Sequence, residues 1–251
     1  MTLPILHGII RRRILVNFRV SPQAIQAQLA PRFRPKLHEG FAIAGICLIR
    51  LEELRPKMLP AIAGGVFGLS SENAAHRIAV LWDDHGAQRE GVFIPRRDTN
   101  SMVTHLAGAH LFPGEQHHAT FAVTEKERTL DFQMCSDDKQ VSVRLKGRFD
   151  STFPSTSCFR SIEEASRFFE GGSVGYSATR DPRRLDGIRL QTEEWFVEPL
   201  EVEEVYSSYF ADTSRFPAGS VTFDCALLMR NIRHEWHSLK DLDSGLLSRT
   251  A

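Results

Sequence analysis

The stretch SSENAAHRIAVLWDDHGAQREGVFIPRR, residues 70–97, decides the fold that this sequence predicts. Its two apolar segments, 76–82 and 91–94, are separated by the turn-forming residues DDHGAQ, a pattern typical of two adjacent strands. A strand pair with a short polar turn is therefore the unit from which the prediction for the rest of the chain is built.

Charged residues flank this strand pair and supply the first candidate site. Glu72 precedes the first strand, and Arg96 and Arg97 follow the second. Because arginine keeps its proton, Arg96 and Arg97 can donate paired hydrogen bonds to a carboxylate or enolate but cannot act as a base or an amine nucleophile. The alternative is that these charges are solvated and that Glu72 forms a surface ion pair of little energetic value.

Further strands are predicted wherever apolar residues alternate with polar ones or form a short run between turns. Residues 41–51 form a near-continuous apolar run, for which a buried helix is the alternative. The isoleucine and glycine positions favour a strand that is covered on both sides. The other predicted strands are 12–20, 118–123, 129–135, 140–149, 187–191, 194–197, 200–207 and 221–229.

Short helices are predicted at three places. One follows Ser21-Pro22, a second begins at the capping box of Ser161, and a third begins at Asp98-Thr99. Many strands with two or three short outer helices predict a mostly β fold, an antiparallel β-barrel, because closure removes exposed sheet edges. We expect a single domain over residues 1–239 and a polar tail over 240–251.

The composition of the chain limits which binding partners and which cellular compartment we expect. The 31 basic and 31 acidic residues cancel, so no long-range field attracts nucleic acid or an anionic membrane. The 4 cysteines include no C-x-x-C pair, which predicts neither structural zinc nor a disulfide framework. No apolar run approaches the roughly 18 residues of a membrane span, and no signal peptide is recognisable, so we expect a cytoplasmic protein.

Motifs for cofactors and metals are missing from the sequence. It contains no P-loop, no dinucleotide-binding fingerprint and no G-x-S-x-G nucleophile elbow, so we expect no cofactor. His117 and His118 are adjacent on a predicted strand and would point to opposite faces, which disfavours a shared metal ion. His234 and His237 lack the spacing of the H-E-x-x-H zinc motif.

A series of motifs runs through the first hundred residues: Arg11, Phe18-Arg19, the helix after Ser21, Ala30-Pro31, Ser71-Glu72, Arg89-Glu90 and Pro95-Arg96-Arg97. The order of these motifs resembles the acetoacetate-decarboxylase-like superfamily, and more closely a bacterial branch of it defined as a domain of unknown function. The resemblance implies a β-barrel and an interior pocket for a small carbonyl compound.

One departure from that superfamily changes the expected chemistry. In the decarboxylases a Pro-Lys-Lys motif supplies the lysine that forms a Schiff base with the keto acid, and its neighbour lowers the pKa of that lysine. This chain has Arg96 and Arg97 at those two positions. The resemblance therefore implies an anion-binding pocket without imine chemistry.

Two functions remain open. The first is an imine-independent lyase or isomerase in which Arg96 stabilises an oxyanion and Glu72 moves a proton, with Arg11 and Arg97 holding a small anionic or carbonyl-containing molecule. The second is a non-catalytic binding or sensor protein that keeps the same pocket. Tyr176 follows a glycine-rich turn and could present a phenol to the ligand, or could simply pack a loop. A homo-oligomer is expected because the decarboxylases are oligomers.

The absence of imine chemistry can be tested directly. A guanidinium cannot become the neutral amine that imine formation requires, and the lysines of this chain lie in predicted turns or on outward strand faces. Borohydride reduction in the presence of pyruvate or acetoacetate should leave the intact mass unchanged. A stoichiometric adduct on one lysine would contradict this prediction.

Overall fold

The structure is a computed structural model that describes residues 4–58, 69–102, 113–149 and 151–246. The helices with described bounds are short: α1 (Pro22–Gln26), α2 (Ile162–Glu170) and α3 (Ser208–Ala211). Across these ranges, no helix has the length and hydrophobicity to cross a membrane. The strands are, in chain order, β1 (Leu6–Val20), β2 (Arg34–Pro35), β3 (Leu37–His38), β4 (Phe41–Pro56), β5 (Leu69–Asp84), β6 (Ala87–Thr99), β7 (Gln116–Lys126), β8 (Thr129–Ser136), β9 (Ser142–Arg148), β10 (Val174–Ala178), β11 (Arg184–Thr192), β12 (Glu198–Ser207), β13 (Val221–Ser238) and β14 (Leu242–Asp243).

The strands pair in one sheet that contains two closed rings. The larger ring runs β1, β4, β5, β6, β7, β8, β9, β12, β13 and back to β1. The smaller ring leaves β6 through β10 and returns through β11 to β13. Nearly all of these pairings are antiparallel, and β6 is parallel to both β7 and β10. Strands β13, β1, β4, β5 and β6 therefore form a wall that both rings share.

Each side of this shared wall faces its own hydrophobic core. Successive side chains of a strand point to opposite faces, so β1 sends Ile14 and Val16 into the core of the larger ring and Leu15 into the other core. Phe132 and Phe159 are fully buried residues of the first and second core respectively. Much of the wall is buried on both faces, which explains the near-continuous apolar run at the start of β4.

The mostly β class predicted from the sequence is confirmed, and so is the strand predicted over residues 41–51. That segment belongs to β4, which is 16 residues long and pairs with β1 on one side and β5 on the other. The helix predicted at Ser161 is also present as α2, and the Ser161 side chain accepts a hydrogen bond from the Glu164 amide at 3.3 Å. At α1, Pro22 takes the predicted position, but Ser21 makes no side-chain capping bond.

Two predicted elements differ from the structure. Residues 194–197 form no strand: the Trp195 indole bonds to Ser166, and Val197 is buried in the second core, so these apolar side chains cover a core from a connecting segment. The helix predicted after Asp98-Thr99 does not start at these two residues, because both pair within β6 against β5, but Met102 is helical. The rest of that predicted helix, over 103–106, lies outside the described residues.

The segment predicted as a polar tail is partly built into the sheet. Leu242 and Asp243 form β14, which pairs with β11. Ser244 is fully buried, and its carbonyl accepts a hydrogen bond from the Arg32 amide at 3.0 Å. Residues 247–251 lie outside the described part of the chain.

Close packing of the shared wall predicts the effect of adding a single methyl group. A Cβ at Gly45 of β4 would lie 2.1 Å from the Val16 carbonyl oxygen of β1, whereas a Cβ at Gly172 would lie 3.4 Å from its nearest neighbour. We expect Gly45→Ala to lower the free energy of unfolding by about 1–3 kcal/mol, the usual cost of overpacking. Gly172→Ala is the matched control, with little change. Equal urea midpoints for the two variants would contradict this account of the wall.

Candidate functional site

A cavity of about 110 Å³ lies inside the smaller ring. All seven strands of that ring contribute to its lining, from β1, β4, β5 and β6 on the shared wall to β10, β11 and β13 opposite. The apolar part of the lining includes Ile49, Leu51, Ile94, Ile188, Leu190 and Trp236. The part with polar or reactive side chains includes Arg13, Cys47, Asn73, Arg77, Arg97, Gln116 and Ser173.

Strand register brings the three arginines of the cavity together. On the shared wall, Arg97 is paired with Ala75, which is in turn paired with Cys47. Arg77 lies two residues further along β5 and therefore on the same face as Ala75. Arg13 is contributed by β1, the strand on the other side of β4. Three separate strands thus deliver one guanidinium each to one face of the wall.

The three guanidinium groups have only neutral hydrogen-bond partners among the described residues. Arg97 donates from Nε to Ser177 Oγ at 2.9 Å. Arg13 donates from Nε to Cys47 Sγ at 3.3 Å. Arg77 donates from Nη2 to the Asn17 side-chain oxygen. Within the described part of the chain, none of the three forms an ion pair with a carboxylate.

Burial without an ion pair is costly for these side chains. Desolvation lowers the pKa of Arg77 and of Arg97 to about 10 each, and nearby Cys47 opposes the shift in both. Arg77 is 5% exposed, and its Nε atom is buried with no hydrogen-bond partner among the described residues. Both groups still carry a positive charge at neutral pH. The cavity is therefore cationic.

Arg96, the predicted anion contact, lies on the opposite face of β6 from Arg97. Its guanidinium bonds to Asp98 at 2.8 Å and to Asp138 at 2.9 Å. Burial alone would lower the pKa of Arg96, but the bonds to the two carboxylates outweigh it and raise the pKa. Asp98 also borders the cavity, yet its carboxylate is engaged by Arg96 on this opposite face.

Two other predicted site residues, Glu72 and Arg11, do not line the cavity either. Glu72 is buried between Arg12, at 2.6 Å, and Arg50, at 3.2 Å. Burial raises the pKa of Glu72, and the charge of Arg12 opposes the shift. Arg11 is 47% exposed at its side chain and pairs with Glu52 at 2.7 Å. Of the predicted set, the structure brings only Arg97 to the cavity.

Tyr176 packs against other aromatic side chains, which was the alternative to contacting a ligand. It is 7% exposed, and its ring centroid lies 5.5 Å from that of Trp82 and 6.4 Å from that of Phe33. Its neighbour Gly175 borders the cavity instead. Burial raises the pKa of the Tyr176 phenol.

Sequence reasoning missed Arg13, Arg77 and Cys47. Arg13 and Arg77 each lie inside a predicted strand, where period-two alternation puts them opposite the apolar positions of the first core. That alternation was a usable signal for an inward-facing arginine. Cys47 carried no local signal, because it lies within an uninterrupted apolar run.

All six lysines of the chain lie in the described residues, and none lines this cavity. Lys36 borders a smaller adjoining cavity of about 30 Å³ and forms an ion pair with Glu90 at 2.8 Å. The arrangement at the arginine cavity accordingly supports binding of an anion and offers no amine for imine formation.

Comparison with known proteins gives matches in structure but not in sequence. No family model and no curated protein matches the chain. The structure is similar to an acetoacetate decarboxylase from Legionella pneumophila, with a TM-score of 0.57 and 11% identity over 95% of this chain and 88% of that one. An acetoacetate decarboxylase-like enzyme from Sphingomonas wittichii gives a TM-score of 0.55 and 13% identity over 96% and 94% of the two chains. The enduracididine biosynthesis enzyme MppR, complexed with pyruvate, gives 0.55 and 11% over 98% and 92%.

The contrast between Arg96 and the cavity arginines predicts different effects of mutation. Arg96→Ala would leave the fully buried Asp98 carboxylate without its cation, so the free energy of unfolding should fall by about 3–5 kcal/mol. Arg34→Ala, which breaks an exposed pair with Asp83, is the control and should cost about 1 kcal/mol or less. Urea unfolding measures both. Equal losses would show that the Arg96 network is not a buried structural element.

Proposed function

We propose that this chain, which has the fold of acetoacetate decarboxylase and its relatives, binds a small organic acid in the cavity lined by Arg13, Arg77 and Arg97. The observation that carries the proposal is that three arginines border one cavity while none has a carboxylate partner among the described residues. In this proposal the smaller ring acts as a barrel around the ligand.

The energetics of the free site favour an anionic occupant. Removing a charge from water costs several kcal/mol per ion unless a counter-charge or hydrogen bonds compensate. Arg77 is the clearest case, since it is 5% exposed, its bonded partner Asn17 is neutral, and desolvation lowers its pKa. A bound carboxylate would accept from such donors in charge-assisted hydrogen bonds, which are about twice as strong as neutral ones.

The size of the cavity and its apolar wall indicate a small ligand. A volume of about 110 Å³ exceeds several times over the roughly 10–15 Å³ that one water molecule needs by the same kind of measure. The aliphatic residues and Trp236 would cover a short carbon skeleton while the arginines contact the acid group. The pyruvate complex of MppR, a protein of the same fold, supports an oxo acid as the first class to test.

The side chains around the cavity favour a protein that binds the acid without converting it to a product. A proton-transferring base would have to face the ligand, but Glu72 is engaged by Arg12 and Arg50 away from the cavity. The three arginines cannot take that role. An imine-free lyase or isomerase reaction is the second version, and proton exchange of pyruvate in deuterated buffer, followed by nuclear magnetic resonance, separates the two. A homo-oligomer and a cytoplasmic location stay predictions.

The proposal is tested by calorimetric titration with pyruvate, acetoacetate and acetate. Arg97→Gln should weaken binding by about 1.5–3 kcal/mol, roughly 10- to 150-fold in Kd, because one charged hydrogen bond is lost. Arg34→Gln, an exposed arginine that pairs with Asp83, is the matched control and should leave Kd unchanged. Unchanged affinity in Arg97→Gln, with intact folding, would place the anion site elsewhere.

A further inference from the structure

Cys47 is the one cysteine that borders the arginine cavity among the described residues. Two other groups of the described lining could act as nucleophiles, the hydroxyl of Ser173 and the carboxylate of Asp98, but Arg96 holds that carboxylate on the opposite face of β6. A serine hydroxyl needs an adjacent base, and no histidine is present in the described lining. A thiol is far more nucleophilic once deprotonated, so Cys47 is the group to consider for covalent chemistry in this cavity.

The surroundings of Cys47 are those in which reactive thiols occur. Arg13 donates a hydrogen bond from Nε to its sulfur at 3.3 Å, and Arg77 and Arg97 are close enough for Cys47 to influence both electrostatically. Reactive cysteines occur in electropositive surroundings, and Cys47 borders a cavity that three arginines line. Independently of the cysteine, Arg77 and Arg97 border the same cavity with only neutral hydrogen-bond partners among the described residues, which favours an acid group as the occupant.

We propose that Cys47 adds through its sulfur to the carbonyl carbon of an oxo acid whose carboxylate the cavity arginines bind, a step that rests on the proposed function. In this addition a sulfur–carbon bond forms while the π bond of the carbonyl breaks. The π electron pair moves to the carbonyl oxygen, which takes up the proton that the thiol releases. The product is a hemithioacetal or hemithioketal, no atom is oxidised or reduced, and the reverse step releases the ligand.

The other three cysteines lack this combination. Cys225 is fully buried, and burial together with the charge of Asp224 raises its pKa. The same two causes raise the pKa of Cys158 to about 12. Cys135 is exposed on the outer part of the larger ring and lies outside the arginine cavity. Cys135 therefore serves as an internal reference for an accessible thiol without the three arginines.

A pair of alkylating reagents tests whether the arginines direct anions to this thiol. Iodoacetate and iodoacetamide both form a sulfur–carbon bond with loss of iodide and of the thiol proton, but only iodoacetate carries a carboxylate. Relative to Cys135, Cys47 should prefer iodoacetate by about tenfold or more, since favourable charge contacts of about 1.4 kcal/mol change a rate by that factor. Peptide mapping by mass spectrometry measures both sites in one sample. A preference at Cys47 no greater than at Cys135 would overturn the proposal.

A second experiment tests the carbonyl addition itself, with glyoxylate isotopically labelled at its aldehyde carbon as the probe. The wild-type protein should give a new carbon resonance for a sulfur-bound tetrahedral carbon, and Cys47→Ser should not. Calorimetric titration of both proteins with pyruvate and glyoxylate distinguishes a failure of the thiol proposal from a failure of the proposed binding function. If both bind with equal affinity and no new resonance forms, the thiol proposal is overturned and the proposed function stands. If neither protein binds either acid, the proposed function fails as well.

Discussion

The alternation of side chains along the shared wall is the constraint on which this structure depends. Because one layer of strands separates two buried interiors, neighbouring residues on the same strand enter different chemical environments. Three adjacent pairs of basic residues are divided in this way. The pairs are Arg12 and Arg13 on β1, His76 and Arg77 on β5, and Arg96 and Arg97 on β6. In each pair the second residue lines the cavity and the first does not.

Charged side chains have different partners on the two faces of the wall. On the side of the larger ring, Arg12 and Arg96 each contact two carboxylates, and desolvation lowers the pKa of the fully buried His76 to about 3, so that it is neutral. On that side the two arginines thus have carboxylate partners within the protein. On the cavity side the guanidinium groups of Arg77 and Arg97 bond to neutral acceptors, and the charge of Asp186 acts on Arg97 without an ion pair between them among the described residues. The protein thus keeps an uncompensated positive charge at one enclosed place, which is the physical basis of a binding site for an acid.

Much of the fold could be predicted from the sequence, because strand-forming alternation and turn residues are local signals. The candidate site was less accessible to such reasoning. The adjacent arginines 96 and 97 are evident, but which of them enters the cavity depends on the pairing of β5 with β6, where the register shifts between His76 and Ile78. Period-two alternation alone would place Arg11 and Arg13 on one face of β1, yet the pairing of β1 with β4 shifts between Ile10 and Arg12, and Arg11 lies at the surface. Bulges of this kind have no clear sequence signature.

The single-layer wall also has a consequence for how such a chain can change in evolution. A side-chain period of two means that inserting or deleting one residue within β5 or β6 would exchange the faces of every residue beyond it. The ion-paired arginine would enter the cavity, and the cavity arginine would enter the core on the other side of the wall. We therefore expect length changes to be tolerated best in the turn between these strands at His85 and Gly86, where both residues have positive φ and are exposed. Substitutions in these strands, unlike insertions, change the cavity lining without exchanging the two faces of the wall.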